Sequence, residues 1–208
     1  MPDFGILISK GLRFCGCAAI AFVAALITSG TAIAAASTRI ISFPSNFGSL
    51  EPIGLSANTD GTYIGTAAKG GPADAGGLFQ LNPPPAGSLQ WTGETIYDFG
   101  GGSDGATPNS QPLVYKGKVY GTTSAGGSTG CKWSGATGCG TVFSLIPPAK
   151  PGGSWTKKTI WRFSQTDGAT PTGKLMADTS GALYGTTQYG GVGSCMNGTI
   201  LAGCGEVY

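Results

Sequence analysis

The stretch Leu183-Tyr184-Gly185-Thr186-Thr187 repeats an earlier one, Val119-Tyr120-Gly121-Thr122-Thr123, and Tyr63-Ile64-Gly65-Thr66-Ala67 is a third, degenerate copy. Each copy is followed at the same offset by a Gly-Gly pair, at residues 70–71, 126–127 and 190–191. The chain is therefore a tandem array with a period of about 56 to 64 residues, and self-similarity of this kind indicates a repeat architecture.

Each unit contains four short segments in which apolar residues alternate with small polar ones, and this pattern predicts β-strands. In the most complete unit the segments are residues 118–123, 140–145, 155–163 and 174–178. An Asp-Gly-Ala-Thr-Pro sequence, predicted to be a tight turn, separates the third and fourth segments. Four antiparallel strands are the content of a propeller blade, and blades bury their faces against one another. The sequence therefore predicts an all-β fold of tandem four-stranded antiparallel repeats, β-propeller-like and incomplete, with about three blades. The alternatives are an open β-solenoid and a small barrel assembled with another chain.

The N-terminal segment has the organisation of a secretory signal. Lys10 and Arg13 give a basic start, and residues 15–36 are apolar or small and end before Ser37. A membrane-spanning helix is the alternative, because the run approaches the ~20 residues that cross a bilayer. The predicted organisation is a signal peptide at 1–36 and a β-repeat domain at 37–208. That domain divides into a partial unit 37–60, unit 61–116, unit 117–180 and a truncated unit 181–208, so we expect a truncated frame or an excerpt of a longer protein.

Charge and composition narrow the classes of partner. The chain has 12 Lys and Arg against 10 Asp and Glu, and charged residues are only 11% of it. Phosphate binding needs clustered cations, so nucleic acid is not an expected partner. A membrane is expected to be contacted only through the signal segment or a missing anchor. The 38 glycines are typical of a chain with many tight turns.

The sequence contains no histidine, which removes Ser-His-Asp and Cys-His catalysis. A carboxylate pair, as in glycoside hydrolysis, remains. The candidates are Glu94 and Asp98, which a regular strand would place on one face, together with Asp104, Asp167 and Asp178. The sequence nevertheless favours a module without catalytic activity, and it predicts no cofactor and no metal.

Four cysteines follow the signal, at corresponding places in successive repeats: Cys131, Cys139, Cys195 and Cys204. In an oxidising compartment they are predicted to form two loop-closing disulfides, Cys131 with Cys139 and Cys195 with Cys204. A zinc site made from both pairs is the alternative, although zinc prefers shorter ligand spacing.

Candidate ligand-binding residues lie in loops and turns. Trp133, beside Lys132, lies in the first disulfide-closed loop, where it can contact sugars or partner proteins or form the loop's own small core. Asp104 and Asp167 each provide one carboxylate in a glycine-rich turn, whereas calcium takes about six to eight oxygens. Asp104 and Asp167 are therefore predicted as candidate ligand-binding residues without calcium.

The Tyr-Gly-Thr-Thr strand has a structural and a functional interpretation. Its glycine allows close approach of a backbone or a large side chain, or marks a bulge. Its threonines suit a half-buried sheet, but they could also line a polar channel that binds a ligand. Trp91, Trp155 and Trp161 lie on predicted strands and are expected in the core.

The motifs G-x-L-Y-G-T-T-x-x-G-G, G-T-V-F-x-L and D-G-A-x-P, recurring in this order, resemble the GloVer tandem repeat of choice-of-anchor proteins. The resemblance covers essentially all of residues 39–208. It implies a bacterial protein that is secreted or attached to the cell surface, with a propeller-like array, no established activity and no catalytic residues to transfer. The chain departs from this family in showing no C-terminal anchor.

Taken together, these patterns predict a secreted or cell-surface binding or structural module, with a glycan or a surface protein as its partner. The alternative is a fragment of a carbohydrate-active β-propeller enzyme that uses acidic residues.

Overall fold

Fifteen β-strands make up most of the regular structure in the part of the chain that the computed structural model describes, residues 51–128, 130–133, 136–197, 200–201 and 203–208. The strands are β1 (Pro52–Ala57), β2 (Tyr63–Ala67), β3 (Gly77–Asn82), β4 (Thr92–Asp98), β5 (Ala106–Pro108), β6 (Leu113–Tyr115), β7 (Lys118–Ala125), β8 (Lys132–Trp133), β9 (Ala136–Thr137), β10 (Thr141–Ile146), β11 (Thr156–Arg162), β12 (Ala169–Ala177), β13 (Leu183–Tyr189), β14 (Met196–Asn197) and β15 (Ile200–Leu201). Two short 3-10 turns span Gly102–Asp104 and Gln165–Asp167. The predicted signal segment 1–36 and residues 37–50 lie outside the described residues.

Three of the five antiparallel sheets in the described residues form the repeats, and the other two are the short pairs β8-β9 and β14-β15. Sheet 1 has the order β1-β2-β3-β4, and sheet 2 has the order β11-β10-β7-β5, with β6 also paired to β7. Sheet 3 pairs β12 with β13, and Tyr208 adds hydrogen bonds to Gly185 at the other edge of β13. None of these sheets closes on itself, so the predicted all-β, incomplete propeller-like repeat fold is confirmed. No helix in the described part of the chain is long and apolar enough to span a bilayer.

Sheets and sequence units are offset by one strand. The first edge strand of sheet 2, formed by β5 and β6, comes from the stretch before Gly117, and it pairs with β7. Sheet 3 is started in the same way by β12, which pairs with β13. The prediction that Asp-Gly-Ala-Thr-Pro forms a turn is correct only for its start. The turn ends at the aspartate, and the Ala-Thr-Pro part begins the next strand. Proline is tolerated there because an edge strand leaves one row of N–H groups unpaired.

The glycine of each Tyr-Gly-Thr-Thr copy lies under an aromatic ring from the neighbouring strand. Gly121 pairs directly with Phe143, and a Cβ at Gly121 would lie 2.7 Å from the Phe143 ring. Phe79 covers Gly65 and Tyr208 covers Gly185 in the same way. Covering an interior glycine with a cross-strand aromatic ring restores the packing that the missing side chain would provide. The sequence left three reasons for this glycine: close approach of a backbone, close approach of a large side chain, or a bulge. The structure shows a large side chain.

Two apolar cores hold neighbouring sheets together. The first seam, between sheets 1 and 2, buries Ile64, Leu78 and Phe99 against Val119, Phe143 and Leu145. The second seam, between sheets 2 and 3, buries Val142 and Phe163 against Ala169 and Leu175. Phe99 packs edge-on against Phe143 at 5.1 Å, and Phe163 packs in the same geometry against Tyr208 at 4.8 Å. The same repeat positions therefore build both seams.

A β-bulge interrupts the last strand of sheet 1 and of sheet 2 at the same repeat position. In β4, Thr95 pairs with Phe79 and Tyr97 pairs with Leu78, so Ile96 is the extra residue. In β11, Ile160 is extra between Thr159 and Trp161. Because one extra residue reverses the alternation, the side chains before and after each bulge lie on opposite faces.

Candidate functional site

The carboxylate of Asp104 joins sheets 1 and 2 across the first seam. It accepts hydrogen bonds from the hydroxyl of Tyr97 at 2.9 and 3.0 Å and from the N–H of Gly100 at 2.8 Å. The ammonium of Lys157, on β11, lies 2.6 Å from Asp104 Oδ1 and also donates to the Asp104 carbonyl oxygen. The Lys157 side chain is only 4% exposed, and it lies over the Phe99 ring at 5.3 Å from the centroid. A nearly buried cation is thus paired with both a carboxylate and an aromatic face.

The ionisation of this group follows from its contacts. Partial burial raises the pKa of Asp104, but the Gly100 N–H, the Lys157 ammonium and the Tyr97 hydroxyl outweigh it, so the pKa lies below its usual value. Burial, with the hydrogen bond to the Asp104 carboxylate, raises the pKa of Tyr97 to about 12. Asp104 is therefore a negatively charged structural contact at neutral pH.

Asp167 occupies the corresponding turn of the next repeat, and within the described residues none of its hydrogen bonds comes from another sheet. Its Oδ1 accepts hydrogen bonds from the backbone N–H of Ser164 at 2.6 Å and from the Ser164 hydroxyl at 2.9 Å. Its Oδ2 accepts one from the indole N–H of Trp161 at 3.0 Å. The prediction that Trp161 is a core residue is wrong: it is 53% exposed, and its indole N–H reaches the exposed turn at Asp167. Both candidate aspartates thus order their own turns, and neither faces a second carboxylate in the contacts described.

The predicted alignment of Glu94 and Asp98 on one face is wrong. Glu94 pairs with Gln80 before the bulge, and Asp98 pairs with Gly77 after it, so the two carboxylates lie on opposite faces of sheet 1. Asp178 caps the turn before β13, where hydrogen bonds from Ser180, Ala182, Tyr184 and Gly181 lower its pKa to about 2. Within the described residues, no group of three or more His, Cys, Asp or Glu side chains could hold a metal ion.

The threonines of the repeated strand are satisfied by internal hydrogen bonds. Thr66 donates to the Ser110 carbonyl at 2.7 Å, and the Thr123 and Thr141 hydroxyl oxygens are 2.8 Å apart. These three threonines are at most 1% exposed. This arrangement supports the structural interpretation of the strand over a ligand-binding channel at these side chains.

Both predicted disulfides are formed. Cys131 is bonded to Cys139 and Cys195 to Cys204, with Cα–Cα distances of 5.1 and 4.9 Å. The first disulfide is buried in the second-seam core, whereas both cysteines of the second are exposed. Oxidised sulfur is not a thiolate ligand, so these bonds replace the alternative zinc site.

The loop closed by Cys131 and Cys139 contains two of the four candidate ligand-binding residues. Lys132 and Trp133 form β8, which pairs with β9. Their side chains lie outside the described part of the structure, so their predicted role in ligand binding stays a prediction.

An open groove of about 800 Å³ lies at one end of the first seam. Gln80 and Glu94 line it from sheet 1, and Val119 and Trp155 line it from sheet 2. The loop after β10, which includes Pro148 and Lys150, borders it. The volume falls within the range of about 300–1,000 Å³ typical of small-molecule sites.

Sequence reasoning missed this groove because its walls come from two sheets. Trp155 is expected in the core from its strand position, and it does pack partly against the first-seam cluster while it also lines the groove. The change from Glu94 to Lys158 at the same repeat position is visible in the sequence. From the sequence alone, this change suggests only that the position is a charged surface site. Its place in the groove becomes visible when the neighbouring sheet is known.

The comparison with protein families identifies the repeat. The model described as the Gloeobacter/Verrucomicrobia repeat matches residues 27–202. Neither the curated proteins nor the solved structures that were compared contain a match to the chain. Because the matched region spans most of the sequence and contains all three sheets, the chain belongs to the Gloeobacter/Verrucomicrobia repeat family.

Proposed function

We propose that this repeat protein is exported and acts outside the cell or at its surface, as a binding or structural module without catalytic activity of its own. The observation that carries the proposal is the pair of disulfides that close the same loop in successive repeats. Disulfides form and persist in oxidising compartments, and they are rare in reducing ones.

In this proposal the sheets form the support and the loops bind the partner. Stacked sheets supply a rigid support, and binding residues in proteins commonly lie on loops that such supports position. The loop closed by Cys131 and Cys139 presents Lys132 and Trp133, which we propose contact a glycan or a protein of the cell surface. Any attachment to a membrane would come from the signal segment or from an anchor outside this sequence.

Export can be tested by expressing the full chain with and without residues 1–36 in a bacterial host. We expect the full chain to be processed between Ala36 and Ser37 and to reach the periplasm with four oxidised cysteines. The shortened chain should stay in the cytoplasm with free thiols. Mass spectrometry after alkylation reads out both results. An unprocessed, fully reduced chain in the cytoplasm would contradict export.

Binding can be tested with the purified exported chain on a glycan array and on isolated cell envelopes. The Trp133→Ala variant should bind more weakly than the wild type if the first loop makes the contact. Trp91→Phe, a change just before β4 and away from the loop, is the control. Equal binding by the Trp133→Ala variant would contradict the role of the loop.

A further inference from the structure

We propose that the groove at the end of the first seam binds a neutral saccharide, with Trp155 as the surface on which a sugar ring packs and Glu94 and Gln80 as its hydrogen-bonding groups. This inference rests on the proposed role as a binding module, and it assigns that role to a different place from the disulfide-closed loop.

The three side chains face one another across the seam. Gln80 and Glu94 are direct cross-strand partners on β3 and β4, so they lie on the same face of sheet 1. Trp155 lies just before β11 and packs partly on the apolar cluster that includes Leu78 of sheet 1 and Phe143 of sheet 2. The groove therefore has an aromatic wall opposite a wall of carboxylate and amide groups.

Polar atoms in the groove are free to bind a ligand. The Glu94 carboxylate and the Trp155 indole N–H make no hydrogen bond or ion pair to any other described residue, and neither do the ammonium groups of Lys118 and Lys150. Gln80 donates one hydrogen bond to Asn82 at 2.7 Å, which leaves its amide oxygen and a second N–H. Elsewhere at this seam, in contrast, the charged groups of Asp104 and Lys157 are paired with each other.

Gln80 and Glu94, the two polar groove residues of β3 and β4, differ from the residues at the same positions of the next repeat. Ser144 stands at the repeat position of Gln80 and Lys158 at that of Glu94, and these two residues are again cross-strand partners. The residues that build the seams keep their character, as Phe99 of the first seam and Phe163 of the second seam show. Conserving the packing while exchanging two adjacent polar groups gives the two seams different recognition chemistry on the same support.

The chemistry of the groove favours an uncharged ligand with many hydroxyl groups. Two carboxylates, Asp60 and Glu94, and two ammonium groups, Lys118 and Lys150, line it, so its formal charges cancel. A carboxylate accepts and an amide both accepts and donates, which suits adjacent hydroxyls on a sugar. The indole ring adds an apolar surface with a polar tip that can cover the C–H face of a pyranose.

The experiment uses the full exported chain and four neutral trisaccharides: maltotriose, cellotriose, mannotriose and N-acetylated chitotriose. Isothermal titration calorimetry compares wild type with the double variant Gln80→Ser/Glu94→Lys, which installs the second-seam residues in the groove. A second variant, Trp155→Ala, removes the aromatic wall. The matched controls are Lys158→Glu and Trp161→Ala, which make the same kinds of change outside the groove. Thermal melting by circular dichroism confirms that each variant is folded.

We expect at least one trisaccharide to bind, with affinity reduced about tenfold or more in both groove variants and changed less than about twofold in the controls. Should Trp155→Ala fail to fold, the double variant decides alone, because its two side chains are not in the apolar core. No binding of any trisaccharide at about 10 mM, or equal binding by the double variant, would overturn the proposal. Preference for trigalacturonate or for a proline-rich peptide over the neutral sugars would also overturn it.

Failure of this site is distinguishable from failure of the proposed function. A chain that is exported and oxidised, and that binds cell envelopes through the Trp133 loop, keeps the proposed function even when no trisaccharide enters the groove. A chain that remains reduced in the cytoplasm loses the proposed function, whatever the groove binds in vitro.

Discussion

At the first seam, the ammonium of Lys157 crosses from sheet 2 to the turn that leaves sheet 1, where it meets Asp104 and the Phe99 ring. At the second seam, the hydrogen bonds that the described residues give Asp167 come from its own turn and from Trp161, which is half exposed. Yet both seams have the same aromatic contact, from Phe99 to Phe143 and from Phe163 to Tyr208. Apolar packing therefore sets how repeats stack, and the polar residues around it can change from one seam to the next.

The largest expected effect comes from filling the space under an aromatic ring. Gly121→Ala would place a methyl group 2.7 Å from Phe143 and displace that ring from Phe99. We expect a loss of about 3 kcal/mol in the free energy of unfolding, measured by urea titration. Gly185→Ala, which displaces the less buried Tyr208, should cost less. Gly130→Ala, with no atom near its Cβ, is the control, and a loss there equal to that of Gly121→Ala would contradict the explanation.

The two disulfides provide the next comparison. They close loops of nearly equal length, with separations of 8 and 9 residues, so chain entropy assigns each about 2.5 kcal/mol. Cys131 and Cys139 are also buried in the second-seam core, so Cys131→Ala/Cys139→Ala should destabilise the chain more than Cys195→Ala/Cys204→Ala. Under mild reduction, the exposed Cys195–Cys204 bond should open first, as alkylation and mass spectrometry can show. Preferential opening of Cys131–Cys139 would be inconsistent with its burial.

Removing the cation of the first seam should have a smaller effect. Lys157→Met keeps the length of the side chain but leaves the Asp104 carboxylate without its ion pair in a partly buried site. We expect a loss of about 2 kcal/mol, less than for a fully buried pair because water reaches Asp104. Lys158→Met, at the adjacent exposed position, should be nearly neutral. A double variant with Asp104→Asn should recover part of the loss, and its failure to do so would argue against a specific pair.

The smallest effect concerns Tyr97, whose hydroxyl donates to Asp104. Tyr97→Phe should cost about 1 kcal/mol at neutral pH. The pKa of Tyr97 in the folded chain, about 12, lies above the ordinary value near 10, so the neutral hydroxyl stabilises the fold. Its contribution is complete below about pH 10 and is lost as the pH rises toward 12.

Absorbance at 295 nm can follow this ionisation. Tyr208, whose pKa burial also raises to about 12, should remain as a late-ionising residue in the Tyr97→Phe variant. If the rise in absorbance near pH 12 is as large in the Tyr97→Phe variant as in the wild type, Tyr97 is not one of the residues that ionise near pH 12.

The repeated motifs carry enough information to predict the main strands, their antiparallel grouping into repeats and the two disulfides, but not that each sheet takes its first strand from the preceding unit. Local alternation fails at Ile96 and Ile160, because a bulge is one extra residue whose effect appears only when the partner strand is placed. The same limit explains the wrong prediction that Glu94 and Asp98 share a face. The burial of Lys157 and the groove beside Trp155 depend on contacts between sheets, which a period within one strand does not encode.

Because every sheet takes its first strand from the stretch that precedes its own repeat, no repeat is complete by itself. If recombination deleted one whole period, the strand lost from one sheet would be replaced by the equivalent strand from the neighbouring copy. This replacement would occur at whatever position within the repeat the deletion began. Such a gene can therefore lengthen or shorten by whole periods while each remaining sheet keeps its full set of strands, and natural variants are expected to differ in repeat number more readily than in loop length.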